Sequence, residues 1–142
     1  MRKGILEPQN IILNAPTESR DDAIERVGKV LVEAGFVKKE YIRGMLIRED
    51  ALSTVLENGV ALPHGEKDYK RMIHKTGLAA VTYPQGIEWN GETVYLVFGI
   101  AAGIDDHLEV LRTLTRNLET KEEVLSLIAK NDAQAICDIL LD

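Results

Sequence analysis

Cysteine is almost absent from this chain: Cys137 stands alone, so no disulfide can form within it and the fold must rest on a buried core. Long apolar runs are missing too. No stretch approaches the roughly 20 apolar residues that a membrane-spanning helix requires. The opening Met1-Arg2-Lys3-Gly4-Ile5 has no apolar run of the kind that makes a signal peptide, so cytoplasmic residence is expected, without membrane insertion. Positive charge is in deficit, with 17 Lys and Arg against 23 Asp and Glu and a net charge of −6. That balance argues against general affinity for nucleic acid and favours partners with basic patches. There is no G-x-S-x-G elbow, so hydrolysis by an activated serine is poorly supported. The three histidines, His64, His74 and His107, show no H-x-x-x-H spacing, and no C-x-x-C is present. No repeat, low-complexity tract or linker interrupts the chain.

What is present is the composition of a folded globular domain: 142 residues, 45% hydrophobic and 28% charged. One domain over residues 1–142 is expected. Asn10-Ile11-Ile12-Leu13 reads as a first strand ended by Asn14 and Pro16. Thr17 or Ser19 can cap a helix whose apolar positions Ile24, Val27, Leu31 and Ala34 recur at three- and four-residue spacing and stop at Gly35. A second helix is predicted from about Lys38 to Glu49. Thr54-Val55-Leu56 and Val60-Ala61-Leu62 flank the turn signal Glu57-Asn58-Gly59, predicting a hairpin or a turn back into a sheet. The charged stretch Glu66 to Arg71 reads as a loop or short helix. Strands are predicted for Gly77 to Val81 and Thr93 to Ala101, with Pro84, Gly86, Asn90 and Gly91 marking a loop between them. Helices over Asp106–Leu118, Glu122–Ala129 and 132–140 complete the chain. Strands with flanking helices give an α/β sheet packed on both faces.

Pro63-His64-Gly65 is the segment that carries chemistry. Proline biases Leu62 to an extended conformation, so His64 arrives at the end of a strand. Gly65 carries no side chain and permits a sharp turn or a close approach by another molecule. An imidazole displayed in this way can transfer protons, bind a metal or carry a phosphoryl group. A metal site from His64, His107 and Asp106 remains open. His107 follows Gly103-Ile104-Asp105-Asp106, where a strand ends and a helix begins, and such helix starts favour anions. Its role would be a hydrogen bond to His64 or to phosphoryl oxygens; the plainer reading is a helix-start histidine bonded to Asp105 or Asp106. Arg48, near the end of the second helix, offers a planar fork suited to phosphate oxygens, or is a solvated residue beside Glu49 and Asp50. Ser53 and Thr54 are candidate hydroxyl donors. His74 reads as a surface residue and Cys137 as a packed thiol in an apolar helical pattern. Trp89 is either a core anchor or a contact surface.

The sequence resembles the enzyme IIA components of the sugar phosphotransferase system, of the mannitol and fructose type. The resemblance runs through Asn10-Ile11-Ile12-Leu13, the helix text Glu40-Tyr41-Ile42-Arg43-Gly44-Met45-Leu46-Ile47-Arg48-Glu49, and Val60-Ala61-Leu62-Pro63-His64-Gly65. It continues in Val97-Phe98-Gly99-Ile100-Ala101-Ala102 and Asp106-His107-Leu108-Glu109-Val110-Leu111. Its Pro-His-Gly end and Gly-Ile-Ala-Ala lead-in are closer to the mannitol branch. The resemblance implies an α/β fold, a mixed β-sheet flanked by α-helices. It implies a phosphotransferase in which His64 accepts a phosphoryl group from the histidine-containing phosphocarrier protein and passes it to a cysteine of a IIB component of a membrane permease. His107 and Arg48 match the family's supporting histidine and arginine, and no metal or cofactor is implied. Gly103-Ile104 and the paired Asp105-Asp106 depart from the family pattern and bear on phosphate affinity and partner choice. A regulatory phosphohistidine module acting on a transcription factor or transporter is the alternative reading. An apolar rim around His64 would suit transient partners.

Overall fold

Short edge strands flank a long central hairpin in the computed structural model, which describes residues 4–141. Residues 1–3 and 142 of the domain expected over 1–142 lie outside the described residues. In chain order the strands are β1 (Ile11–Ile12), β2 (Val60–Ala61), β3 (Gly77–Trp89) and β4 (Glu92–Ala101). The helices are α1 (Arg20–Glu33), α2 (Tyr41–Ala51), α3 (Ile104–Asn117), α4 (Lys121–Ala129) and α5 (Ala133–Leu141). The sheet order is β1-β3-β4-β2; β3 and β4 are antiparallel, while β1 runs parallel to β3 and β2 parallel to β4. The sheet is therefore mixed, as expected.

Helices cover both of its faces. Leu96, Phe98 and Ile100 of β4 pack on one side with Val110 and Leu114 of α3 and Val124 and Leu127 of α4. Val97 and Ala101 point to the other side, with Ile24, Val27 and Leu31 of α1 and Tyr41 and Met45 of α2. This alternation is the period of two that a doubly covered strand shows. Ser19 caps α1 by accepting from the Asp22 amide at 3.1 Å, and Thr120 with Glu123 forms a capping box on α4.

Two expectations shift. The loop expected after Val81 is strand: β3 runs on through Pro84 and Gly86, and the ladder absorbs them as an irregularity between Thr82 and Ile87. The chain reverses only at Asn90 (φ 51°) and Gly91 (φ 87°), a pair of positive φ angles that suits a two-residue hairpin turn. The hairpin expected around Gly59 shrinks to a single antiparallel bridge, Val55 to Ala61, because β2 takes β4 as its ladder partner.

That parallel pairing decides the site. β2 and β4 end on the same edge of the sheet, so the residue that follows β2 and the helix that follows β4 meet there. His64 follows β2 and itself bridges Ile100 in parallel register. His107 lies in the first turn of α3, its amide donating to the Gly103 carbonyl at 3.0 Å.

Candidate active site

The loop that carries His64 is fastened from two directions, by β4 and by α2. The Ile100 amide donates to the Pro63 carbonyl at 3.0 Å, which extends the β2–β4 pairing past the end of the ladder. Tyr41 of α2, fully buried, donates its hydroxyl to the Ile100 carbonyl at 2.8 Å and accepts from the Gly65 amide at 2.8 Å. Burial pushes the Tyr41 phenol up to about 12, so it remains a donor at any physiological pH. Gly65 is glycine for this contact. A Cβ there would lie 2.3 Å from Cε1 of Tyr41, and Gly65 is not among the positive-φ glycines. The close approach that the lack of a side chain at Gly65 permits is thus taken by the Tyr41 ring.

His64 Nδ1 lies 2.8 Å from the Leu62 carbonyl. A carbonyl can only accept, so Nδ1 carries the proton and the lone pair is left on Nε2. The His107 ring meets His64 edge to face, with centroids 4.8 Å apart and planes at 64°. His107 Nδ1 is buried and has no hydrogen-bond partner. Burial lowers the pKa of both histidines, that of His107 to about 4, and the cations Arg48 and Lys70 push each in the same direction. Both imidazoles are therefore neutral at pH 7, and His64 is a ready nucleophile.

Arg48 lies in the last turn of α2 and donates from Nη1 to the Leu52 carbonyl. Lys70 was not singled out from the sequence. It sits in the 3₁₀ turn Lys67–Met72, half-buried, and its Nζ donates to the Ala102 carbonyl at 2.9 Å, beside the start of α3. The turn is drawn against α2 by Tyr69, whose ring occupies the space a Cβ on Gly44 would need, and by the Glu66 amide donating to the Gly44 carbonyl at 3.0 Å. A lysine among four charged neighbours gives no periodic signal, which is why sequence reasoning passed over it.

Ser53 and Thr54 do not face the imidazole as phosphate donors. Both hydroxyls donate to the buried Glu49 carboxylate, at 2.6 and 2.7 Å, and Trp89 Nε1 donates to it at 2.9 Å. Trp89 is thus a core anchor with no exposed surface. Cys137 is a buried thiol, raised to about 11 by burial, and His74 is exposed. Asp106 accepts from the Thr76 hydroxyl at 2.6 Å, and among the described residues no three His, Cys, Asp or Glu side chains are grouped to share an ion.

The elements around the site present apolar side chains to solvent. Leu52, at the end of α2, is 69% exposed; Ile104 and Leu108, on either side of His107, are 79% and 57% exposed. A groove of about 360 Å³ lined chiefly by α1 residues such as Arg26 and Lys29, and one of about 450 Å³ between Glu7, Asn10, Glu33 and Lys75, contain neither imidazole. The elements around the two imidazoles thus also carry exposed apolar side chains and two cations, an arrangement suited to a protein partner that brings an anionic group.

Among the described residues no helix is long and apolar enough to cross a membrane. The model of the family described as phosphoenolpyruvate-dependent sugar phosphotransferase system, EIIA 2, matches residues 4–142. The multiphosphoryl transfer protein of Haemophilus influenzae is 44% identical over 137 residues; these cover 96% of this chain but 28% of that protein. The mannitol-specific phosphotransferase enzyme IIA component of Staphylococcus aureus is 37% identical over 127 residues, covering 89% of this chain and 88% of that one. The solution structure of the complex of enzyme IIAMTL and phosphorylated enzyme IIBMTL from Escherichia coli superposes with a TM-score of 0.85 at 31% identity, covering 96% of each chain. The chain is a phosphotransferase that belongs to the EIIA 2 family of the phosphoenolpyruvate-dependent sugar phosphotransferase system.

Proposed function

We propose that this chain is a cytoplasmic, mannitol-type IIA domain that accepts a phosphoryl group on His64 Nε2 from the histidine-containing phosphocarrier protein and passes it to a cysteine of a IIB component. The observation that carries the reading is the held imidazole: Nδ1–H is bonded to the Leu62 carbonyl, and Nε2 keeps its lone pair beside His107. The likeness to mannitol-specific relatives, one of them a partner in a complex with phosphorylated IIB, supports the choice of sugar and acceptor.

Phosphoryl transfer passes through a loose transition state with charge on the equatorial oxygens, so the protein's task is in-line positioning and charge stabilisation. Nε2 forms the N–P bond as the bond to the donor's nitrogen breaks, and the proton stays on Nδ1. Arg48 and Lys70 supply positive charge to the oxygens, and His107 turns a ring N–H to them. In the onward step the cysteine thiolate attacks phosphorus and the N–P bond returns its electrons to Nε2. Exposed Leu52, Ile104 and Leu108 give each partner a small apolar footing that releases readily.

Incubation with phosphoenolpyruvate, enzyme I and the phosphocarrier protein should add one acid-labile phosphoryl group, seen by intact mass, and His64→Ala should abolish it. Offering the phosphorylated protein to mannitol-type and fructose-type IIB components tests the sugar assignment, with faster transfer to the mannitol type expected. An unmodified mass refutes the phosphocarrier reading, and faster transfer to the fructose type refutes the branch.

A further inference from the structure

We propose that Glu49 and Thr54 are positioning residues for His64, acting through the Leu62 peptide to hold the proton on Nδ1 and the lone pair on Nε2. The proposal rests on the reading of His64 as the phosphoryl acceptor. Leu62 lies just past the end of β2 and just before Pro63, which has no N–H to anchor that peptide. Leu62 must nevertheless hold still, because its carbonyl receives Nδ1–H at 2.8 Å. The bond its own amide makes is to Thr54 Oγ1, at 3.3 Å.

Thr54 is in turn fixed at two points on one carboxylate. Its amide donates to Glu49 Oε2 and its hydroxyl to Glu49 Oε1, each at 2.7 Å. Glu49 is 1% exposed and receives Ser53 and Trp89 as well, so four donors converge on it. All four are neutral, and among the described residues no cation forms an ion pair with it. Keeping a carboxylate buried among neutral donors is expensive, and here its two oxygens accept all four of them at once. Besides holding these donors, the carboxylate sets a negative charge behind the imidazole.

That charge has a use in the reaction. As Nε2 commits its lone pair to phosphorus, positive charge develops across the ring and on Nδ1–H. The Leu62 carbonyl accepts it directly, and the Glu49 carboxylate favours it from beyond Thr54, as its influence on His64 in the resting protein also indicates. The logic is that of a buried carboxylate orienting a catalytic histidine, with a threonine and a peptide group placed between the two.

Thr54→Val removes the hydroxyl at nearly constant volume, and Thr54→Ser restores it. Nitrogen NMR of the His64 ring in the full chain should show the Nδ1–H tautomer dominant in the wild type and in Thr54→Ser, and a raised Nε2–H fraction in Thr54→Val. Phosphoryl acceptance should slow about five- to tenfold in Thr54→Val, with KM for the phosphocarrier unchanged, and return in Thr54→Ser. If Thr54→Val does not fold, Glu49→Gln, which keeps the shape and removes the charge, gives the same two readings. A folded variant with the wild-type tautomer and rate overturns the proposal, as does a changed tautomer with an unchanged rate. A wild type that takes up no phosphoryl group overturns the reading of His64 on which the proposal stands.

Discussion

Tyr41→Phe separates the hydrogen bonds around the His64 loop from its packing. The phenyl ring fills the same space, so no cavity opens and the change is confined to one hydroxyl. That hydroxyl serves two buried groups, the Ile100 carbonyl and the Gly65 amide, each at 2.8 Å. The two groups face each other across the parallel His64–Ile100 bridge, and the phenol oxygen serves both of them. Within an antiparallel strand the N–H and C=O of one residue face the same neighbour, and Ile100 N–H already points at Pro63, so its carbonyl faces Tyr41 and not β3. Each net bond is worth about 1 kcal/mol and each orphaned group adds a desolvation penalty, so a loss of about 2 to 4 kcal/mol is expected. Urea unfolding should show a lower midpoint at unchanged slope. The variant should also lose alkaline sensitivity. Tyr41 titrates near 12 when folded and near 10 when unfolded, so its contribution is complete below pH 10 and is lost as pH rises toward 12. Tyr83, also raised by burial, keeps part of that slope. Stability within about 0.5 kcal/mol of wild type would refute the reasoning.

Gly65→Ala should be worse than its size suggests, because the new Cβ would lie 2.3 Å from the Tyr41 ring; a loss of about 2 to 4 kcal/mol, read by the same urea titration, is expected. Lys70→Met keeps the aliphatic stem and removes a cation that depresses both site histidines, so NMR titration should show both midpoints raised. An unchanged midpoint for either ring would remove Lys70 from the site. Stability should fall on acidification from about pH 6.5 toward 4, because the unfolded histidines take up protons that the folded ones refuse. His107→Gln should flatten that limb of the unfolding profile, and an unaltered limb would contradict the buried, neutral His107.

The helices were legible because their signals are local. Ser19, one of the two caps expected for the first helix, stands before apolar positions at helical spacing and caps α1. The strand ends that matter were harder to read. Pro84 and Gly86 look like loop residues, and only the pairing of Ile87 with Val94 beyond the irregularity shows that the strand resumes. His64, His107 and Arg48 were legible as chemical types at meaningful places, but their convergence depends on β2 joining β4 in parallel, a choice made by tertiary contacts and invisible in residues 54–62. Tyr41 and Glu49 were quoted in the helix text without a role, since a tyrosine hydroxyl that clamps a loop 24 residues away leaves no mark in sequence spacing.

The electrostatics of the site follow one consistent rule. Burial keeps both imidazoles neutral, so the positive charge of the site comes from Arg48 and from Lys70, whose pKa burial lowers from its ordinary value. A resting site built on imidazolium would have no lone pair to offer, and one with no cation would meet a dianion with nothing to hold it. If His64 is the phosphoryl acceptor proposed above, dividing the two tasks between neutral rings and cations lets it act as nucleophile on one partner and leaving group toward the next. The lever between those roles is the Nδ1 proton. Held by Leu62, it stabilises the ring as Nε2 gives up its lone pair and does not have to leave when the lone pair comes back. On that reading, a device that fixes the proton serves both acceptance and onward transfer.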